Sequence, residues 1–259
     1  MDILGDYHTH TIYSRKKWCL KKHAKGTLED NVKRASELGL KEIAITDHGF
    51  NHKVFGTYRK NLAPLKEEAR RLSEKYNINV LLGVEANFIS TDGTIDVVES
   101  DMEYLDIVLC GFHEIVKAKT IKDKFKLWYF HYLYAIFGLS KKRIELNTKT
   151  VVNAVEKNNI DVLTHLNAKL LVDPIRVAEA CVKKGTLIEL NTKHFELKDE
   201  DIIKMAEMGV KFIVDSDAHS PKRIADFDLA REVIKRTGIE KSVVNLNGLP
   251  EFINYKRKK

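Results

Sequence analysis

The sequence predicts an α/β protein that folds as one domain around a parallel barrel. Its 259 residues are enough for a single domain with a full core. Short apolar runs alternate with helix-sized stretches of mixed polarity, which is typical of an α/β domain. The runs are rich in Val, Ile and Leu and show little polar alternation, as expected for parallel strands covered on both faces. Seven such units in succession favour a closed or nearly closed barrel.

The apolar runs are the predicted strands, and nearly every one of them ends in a residue able to bind a metal. The runs lie at residues 3–4, 42–45, 80–84, 107–112, 161–164, 186–190 and 211–214. In parallel barrels the chemistry gathers at the C-terminal ends of the strands. We therefore expect the polar residues that follow these runs to meet in one site.

Helices are predicted between the strands. They cover about residues 28–38, 60–76, 121–138, 147–158, 172–184, 198–208 and 222–236. Thr27 and Asp30 form the spacing of a capping box at the start of the first helix. Gly185, Gly209 and Gly238 follow helical stretches, where a left-handed C-terminal cap favours glycine.

The charge and the cysteines narrow the class of protein. The net charge of +7 comes mostly from scattered lysines, with a basic run at residues 256–259. This excess indicates either solvated helix faces and a basic tail, or attraction of anionic substrates such as phosphates. We find no cluster of basic residues interleaved with aromatic residues that would predict a dedicated nucleic-acid surface. Cys19, Cys110 and Cys181 lie far apart, which fits reduced thiols in a cytoplasmic protein.

No membrane segment is predicted. The chain opens with Met1 and Asp2 and leads directly into a strand, so we expect no signal peptide. The longest apolar stretch, residues 125–139, contains Lys126 and His131 and is shorter than the roughly 20 residues needed to span a bilayer. A partly buried amphipathic helix is the expected structure there.

Histidines and carboxylates at successive strand ends predict a metal centre. His8 and His10 are two residues apart on an extended chain and therefore face the same side. The other candidates at strand ends are His48, Glu85, His113, His165, Asp217 and His219. Imidazole and carboxylate are the usual ligands of zinc, manganese and iron. Bringing so many of them together without a cation would be costly, because buried carboxylates need compensation and protonated imidazoles repel one another.

Glu85 is the expected bridge between metal ions. It follows a central strand and stands alone there, and one carboxylate can bridge two ions about 3.5–4 Å apart. Such a site polarises a phosphoryl oxygen and generates hydroxide from bound water at neutral pH. The chemistry indicated is hydrolysis. No glycine-rich phosphate loop, nucleotide-binding fingerprint or Gly-x-Ser-x-Gly motif points to another reaction.

Six motifs together resemble the PHP family, named for polymerase and histidinol phosphatase. They are His8-Thr-His10, Thr46-Asp47-His48-Gly49, Gly83-Val84-Glu85, Gly111-Phe112-His113, Thr164-His165 and Asp215-Ser216-Asp217-Ala218-His219. The resemblance covers essentially the whole chain. It implies a single PHP domain over residues 1–259, a distorted barrel of seven β/α units similar to a TIM barrel, and a helical insertion at about residues 117–150. It also implies three divalent metal ions, with zinc, manganese or iron as candidates.

The resemblance also implies a set of ligands for each ion. The expected sets are His8, His10, Glu85 and Asp217 for the first ion, Glu85, His113 and His165 for the second, and His23, His48 and His219 for the third. Segment 15–22 looks like an insertion before His23, which keeps the local pattern His23-Ala24-Lys25-Gly26. The resemblance implies a catalytic role for Glu85, Asp217 and His219.

The implied activity is hydrolysis of phosphate monoesters by metal-bound hydroxide at a trinuclear site. Histidinol phosphate is the first named substrate, on the resemblance alone, so the expected partner is a small phosphorylated molecule. An alternative within the family is a nuclease or a nucleotide phosphatase, for which nucleic acid would be the partner. A metal-stabilised scaffold without catalysis is the alternative outside enzymes.

Several further residues are candidates for contacts around the metals. The candidates for substrate binding are Lys25, His52, Asn191, Lys193 and Arg223, with Arg15, Lys16 and His194 as further options. Asp47 and Asp215 could orient imidazoles from a second layer, and Asp215 could also act as a general acid. The helical insertion could cover the mouth of the site or form an oligomer contact through Trp128 and Tyr132.

Overall fold

The protein forms a barrel of parallel strands with helices between them, as the sequence predicts. The structure, a computed structural model, describes residues 2–129, 137 and 141–256. The strands are β1 (Gly5–Asp6), β2 (Glu42–Ile45), β3 (Asn79–Asn87), β4 (Ile107–Gly111), β5 (Val162–Leu163), β6 (Leu187–Asn191) and β7 (Phe212–Asp215). They pair in parallel in chain order from β1 to β7. The prediction of a single α/β domain with seven strands is confirmed.

The barrel is nearly closed where the first and last strands meet. Beyond the ends of β1 and β7, the His10 amide donates to the Ala218 carbonyl at 2.8 Å, and the Ala218 amide donates to the His8 carbonyl at 3.1 Å. Closer to the opposite end, the buried side chain of Asn245 donates to the carbonyls of Gly5 at 3.1 Å and Val214 at 2.8 Å. Asn245 thus replaces ladder hydrogen bonds that two short strands cannot make.

Helices follow most strands and cover the outside of the barrel. They are α1 (Leu28–Glu37), α2 (Leu62–Tyr76), α3 (Ile121–Lys124), α4 (Lys141–Lys157), α5 (Pro174–Lys184), α6 (Asp199–Glu207), α7 (Asp228–Thr237) and α8 (Ile253–Lys256). A π-helical turn (Phe125–Tyr129) follows α3. The predicted capping box is present at α1, where the Thr27 hydroxyl accepts from the Asp30 amide. Gly185 and Gly238 end α5 and α7 in the left-handed conformation.

The inside of the barrel is apolar at one end only. The interior cluster consists of Tyr7, Ala44, Leu81, Ile107, Leu109, Val162, Leu187, Ile213 and Phe252. The rings of Tyr7 and Phe252 pack edge to face with their centroids 5.0 Å apart. Next to Phe252, Asn254 binds the carboxylate of Asp161, which lies at the N-terminal end of β5. The C-terminal segment therefore closes the N-terminal end of the barrel and leaves the opposite end for polar residues.

Some predicted boundaries are wrong. β1 follows Ile3 and Leu4 instead of containing them, because Ile3 bridges to Leu246 and the Leu4 amide binds the Asn245 carbonyl. The helix predicted at 222–236 is a short 3₁₀ turn (Pro221–Arg223) followed by α7, because Ala225 takes a left-handed conformation with φ of 62°.

Within the predicted insertion at about residues 117–150, α4 begins six residues before the predicted position of 147. The predicted helix at 121–138 is α-helical over Ile121–Lys124 and π-helical over Phe125–Tyr129, and of its remaining residues the structure describes 137, which is helical. His131 and Tyr132 lie outside the described residues, as do the last three residues of the basic tail. Among the described residues, no helix combines the length and the apolar character needed to cross a bilayer.

Candidate metal centre

The His8–His10 pair lies directly after β1 and is completely buried. Both side chains point into the open end of the barrel, and their ring centroids are 5.0 Å apart. The chain continues extended through Thr9, whose neighbours bind Ala218 across the barrel closure. Because alternate residues of an extended chain share a face, both imidazoles are presented to one point, as the sequence predicts.

Glu85 is the centre of the cluster and is only 1% exposed. Its carboxylate oxygens are surrounded by imidazole nitrogens at 2.7 Å (His48), 2.8 Å (His165), 3.2 Å (His113), 3.4 Å (His8) and 3.7 Å (His10). The expectation that Glu85 follows its strand is wrong, because β3 continues to Asn87. The longer strand arises because backbone hydrogen bonds join Glu85 to Asp47 and Gly49, so the loop after β2 extends the sheet.

Asp217 provides the second carboxylate of the cluster. Its Oδ1 lies 3.1 Å from Nδ1 of His219 and 3.4 Å from Nε2 of His10. The backbones of Asp217 and His165 have positive φ values of 48° and 31°. Such conformations are unfavourable for residues other than glycine and tend to occur at functional sites, where the surrounding structure enforces them.

His23 joins the cluster despite the insertion that precedes it. Its Nε2 lies 2.8 Å from Nε2 of His48 and 2.7 Å from Nε2 of His219. Its ring stacks on Phe55 with the centroids 4.1 Å apart. The structure therefore brings together the three residues that the resemblance groups around a third ion.

Three imidazoles of the cluster are held in the neutral form. Burial and the charge of His219 lower the pKa of His10 to about 3, and the same two causes lower that of His23 to about 2. Burial also lowers the pKa of His48 well below its ordinary value, against the opposing charge of Glu85. A neutral imidazole has a free lone pair, which is the form that binds metals.

The two carboxylates are held in the ionised form. Burial would raise the pKa of Glu85, but the electrostatic effect of the neighbouring His113 and His8 outweighs it and lowers the pKa well below the ordinary value. Burial would likewise raise the pKa of Asp217, but the charge of His8 outweighs it and lowers the pKa well below the ordinary value. Ionised carboxylates at such burial need a positive partner.

The donor set fits divalent cations. Among the described residues, Nε2 of His8 and Nε2 of His10 are buried and make no hydrogen bond, and Nδ1 of His48 lies 2.7 Å from Oε2 of Glu85 without the geometry of a hydrogen bond. Atoms that could bind a metal lie within 4.8 Å of one another in three groups: His8, His10 and Asp217; His48, Glu85 and His113; and His10, His48 and His219. Buried polar atoms are normally satisfied, so unpaired nitrogen and oxygen donors facing common points indicate ligands for a cation.

Glu189 is a site residue that the sequence analysis missed. Its Oε1 lies 2.7 Å from Nδ1 of His8, and its Oε2 accepts from the His165 amide at 2.7 Å and from Asn191 at 3.0 Å. Burial disfavours the protonated form of His8, but the charges of Glu189, Glu85 and Asp217 outweigh it and raise the His8 pKa. With Nδ1 donating to Glu189, Nε2 of His8 faces the cluster. The sequence does contain a signal for Glu189, because an acidic residue inside an apolar strand needs a buried partner.

The two predicted supporting aspartates do not contact imidazoles directly. Asp47 accepts from the Ser14 hydroxyl at 2.6 Å, and the Ser14 oxygen lies 3.3 Å from Nδ1 of His10. Asp47 therefore acts on His10 through Ser14. Asp215 accepts from the Tyr7 amide at 2.6 Å and faces the barrel closure instead. Burial, together with the negative charge of Glu189, raises the pKa of Asp215 well above its ordinary value.

An open cavity of about 170 Å³ lies over the cluster. His52, Lys193 and His194 are among its lining residues, as is Lys169, which the sequence analysis did not single out. Nζ of Lys193 lies 3.2 Å from Oδ1 of Asp217. The cavity therefore offers a cationic side chain next to the cluster, which suits an anionic substrate.

Among the described residues, the substrate-binding candidates Asn191, Lys25 and Arg223 do not line this cavity. Asn191 is buried and accepts from the amides of Lys193 and His194, so it shapes the loop after β6. Lys25 is exposed, and Arg223 pairs with Asp226 at 2.8 Å.

Comparison with known proteins identifies the family. The sequence pattern of the PHP domain matches residues 6–237, which is most of the chain and includes every candidate ligand. This chain belongs to the PHP domain family. The match confirms the resemblance that the six motifs indicate.

Relatives match along nearly their whole length. A protein named "Probable phosphatase" from Thermoanaerobacter sp. (strain X514) is 29% identical over 275 residues, covering 100% of this chain and 98% of that protein. Another "Probable phosphatase", from Shewanella loihica, is 31% identical over 252 residues, covering 91% and 85%. A histidinol phosphate phosphatase from Lactococcus lactis subsp. lactis, solved with zinc, L-histidinol and phosphate, has a TM-score of 0.59 at 16% identity, covering 91% and 94%. That similarity shows a shared fold.

Proposed function

We propose that this PHP protein hydrolyses small phosphate monoesters with divalent metal ions held at the open end of the barrel. The observation that carries the proposal is the environment of Glu85. A buried, ionised carboxylate lies within 3.4 Å of nitrogens from His8, His48, His113 and His165. Such a concentration of donors is far more favourable around cations than without them.

The relatives support the reaction class. Proteins that match this chain along nearly their whole length bear the name "Probable phosphatase". The Lactococcus lactis enzyme with the same fold was solved with zinc and with both products of histidinol phosphate hydrolysis. The chain is a phosphoester hydrolase. Histidinol phosphate is the substrate that we propose to test first, and zinc is the first metal.

The ligand sets that we propose are those implied by the family resemblance. The converging groups in the structure overlap with these sets without reproducing them, since His48 groups with Glu85 and His113. The proposed sets are His8, His10, Glu85 and Asp217; Glu85, His113 and His165; and His23, His48 and His219, with Glu85 shared between the first two. When bound, divalent ions would activate water and polarise a phosphoryl oxygen. His48 presents Nδ1 to Glu85 and Nε2 to His23, so its ring lies between the second and third sets.

In this proposal, Glu189 and Asn87 orient the histidine ligands, and Lys193 contacts the substrate. Glu189 fixes the orientation of His8 and the backbone of His165. Asn87 accepts at 2.8 Å from Nδ1 of His113, which directs Nε2 of that ring towards Glu85. Lys193 lines the cavity and supplies positive charge for the phosphate of the substrate.

Replacement of Glu85 by Gln tests the proposal. The substitution keeps the volume of the side chain and removes one negative charge and one acceptor oxygen. We expect turnover of p-nitrophenyl phosphate and histidinol phosphate to be lost and bound metal to fall. Glu196→Gln is the control, because Glu196 is exposed. Unchanged hydrolysis by metal-stripped Glu85→Gln protein would refute the mechanism. A single-stranded DNA substrate in the same assay separates a phosphatase from a nuclease.

A further inference from the structure

A basic loop, defined as residues 15–25, lies beside the metal centre. Its cationic residues are Arg15, Lys16, Lys17, Lys21, Lys22 and Lys25. Lys16 is engaged by the fold, since its Nζ donates to the Phe50 carbonyl at 3.0 Å and to the Thr57 carbonyl at 2.8 Å. In the part of the chain that the structure describes, no Asp or Glu pairs with Arg15 or Lys22. Trp18, which is 66% exposed, adds an accessible aromatic ring among these cations that the sequence analysis did not recognise.

Two of the unpaired cations line a second cavity. It has a volume of about 220 Å³ and is lined by Ile12, Arg15, Lys22, His23 and Ala24. We call it the lateral pocket. His23 also lines the cavity over the metal centre, so the two cavities are neighbours. Arg15 and Lys22 line the cavity that does not contain Glu85.

We propose that the lateral pocket binds a second anionic group of the substrate, a phosphate or a carboxylate. This inference rests on the proposed phosphatase activity. It extends the substrate class beyond histidinol phosphate, which has no second anion, to phosphate monoesters that carry one.

The chemistry of the pocket favours an anion over other groups. Arg15 is half-buried, and its guanidinium offers paired donors that match phosphate or carboxylate oxygens. Lys22 adds a second positive charge on the same cavity. Like charges that share a pocket repel each other, and a bound anion relieves this repulsion. Ile12, His23 and Ala24 complete the lining, and Arg15 and Lys22 are its two cationic residues.

Binding of non-hydrolysable phosphonates tests the lateral pocket independently of turnover. The probes are alkane-α,ω-bisphosphonates with spacers of increasing length, each compared with the monophosphonate of the same length by calorimetry on the metal-loaded protein. We expect one spacer length to bind at least about tenfold more tightly as the bisphosphonate, since charge-assisted hydrogen bonds at a second site contribute at that level. An advantage of about twofold at every length, the statistical value, would overturn the proposal.

Variants show whether the tighter binding of the bisphosphonate depends on the lateral pocket. Arg15→Gln combined with Lys22→Gln should reduce the ratio of the two dissociation constants towards two. Lys21→Gln, which removes an exposed cation of the same loop that does not line the pocket, should preserve it. An equal loss in Lys21→Gln would indicate general attraction to the basic loop and refute a specific pocket. If the double variant does not fold, Lys22→Gln alone carries the test, because Lys22 is exposed. Hydrolysis of p-nitrophenyl phosphate, measured in parallel, reports on the proposed function separately.

Discussion

Replacement of Glu189 by Gln should weaken metal binding although Glu189 is not a proposed ligand. Its carboxylate accepts from Nδ1 of His8, the amide of His165 and the side chain of Asn191 at 2.7, 2.7 and 3.0 Å. Gln keeps one acceptor oxygen and places an NH₂ group against one of these donors. His8 then loses the charged partner that fixes Nε2 towards the metal centre, and His165 loses part of the support for its positive φ.

The expected loss of zinc affinity follows from the hydrogen bonds that Glu189→Gln removes. A hydrogen bond to a charged group contributes about 1.5–3 kcal/mol, and second-layer substitutions around metals typically lower affinity by about 10–100-fold, which corresponds to about 1.4–2.8 kcal/mol. The two ranges agree. We therefore expect a zinc dissociation constant that is about 10–100-fold larger for Glu189→Gln than for the wild type.

The assay is competition for zinc between chelator-treated protein and a chromophoric chelator. Glu196→Gln is the matched control, because Glu196 is exposed and follows the same strand. Circular dichroism shows whether each variant is folded before titration. A Glu189→Gln protein that is folded and binds zinc within about twofold of the wild type would refute the positioning role of Glu189.

Three further outcomes follow from the fold and the cavity. Phe252→Ala, which empties the closed end of the barrel, should lower the free energy of unfolding by about 3–5 kcal/mol in urea titrations, whereas Leu249→Ala, at a position that is 47% exposed, should change it by less than about 0.5 kcal/mol. Lys193→Gln should raise the KM for p-nitrophenyl phosphate at least about tenfold, through loss of a charge-assisted bond. Lys198→Gln, whose side chain is 73% exposed, should leave that KM unchanged. Saturating zinc should raise the midpoint of thermal unfolding of the chelator-treated protein, because the folded chain alone has the converged donors.

The barrel and most residues of the cluster can be predicted from the sequence because they depend on short local patterns. Apolar runs identify the buried parallel strands, and the candidate ligands other than His23 lie at or shortly after the end of such a run. Since all parallel strands of a barrel end on one side, the convergence of His8, His113 and Asp217 follows from topology without any knowledge of contacts. This is why residues more than 200 positions apart in sequence could be assigned to one site.

The features that the sequence did not predict depend on contacts between distant segments. Glu189 lies within β6, where its contacts with His8 and the His165 amide explain a buried acid. Asn245 completes the barrel because β1 and β7 are too short to pair fully. Phe252 is an ordinary apolar residue near the C-terminus, and nothing local indicates that it fills the barrel. Tertiary packing decides these roles.

The amount of metal bound by the purified protein tests the central claim most directly. After reconstitution with zinc and removal of excess metal, elemental analysis should give three equivalents per chain for the wild type and fewer for Glu85→Gln. A folded wild-type protein that retains less than one equivalent of any divalent metal would contradict the account, because the buried carboxylates and neutral imidazoles would then lack the cations for which they are arranged.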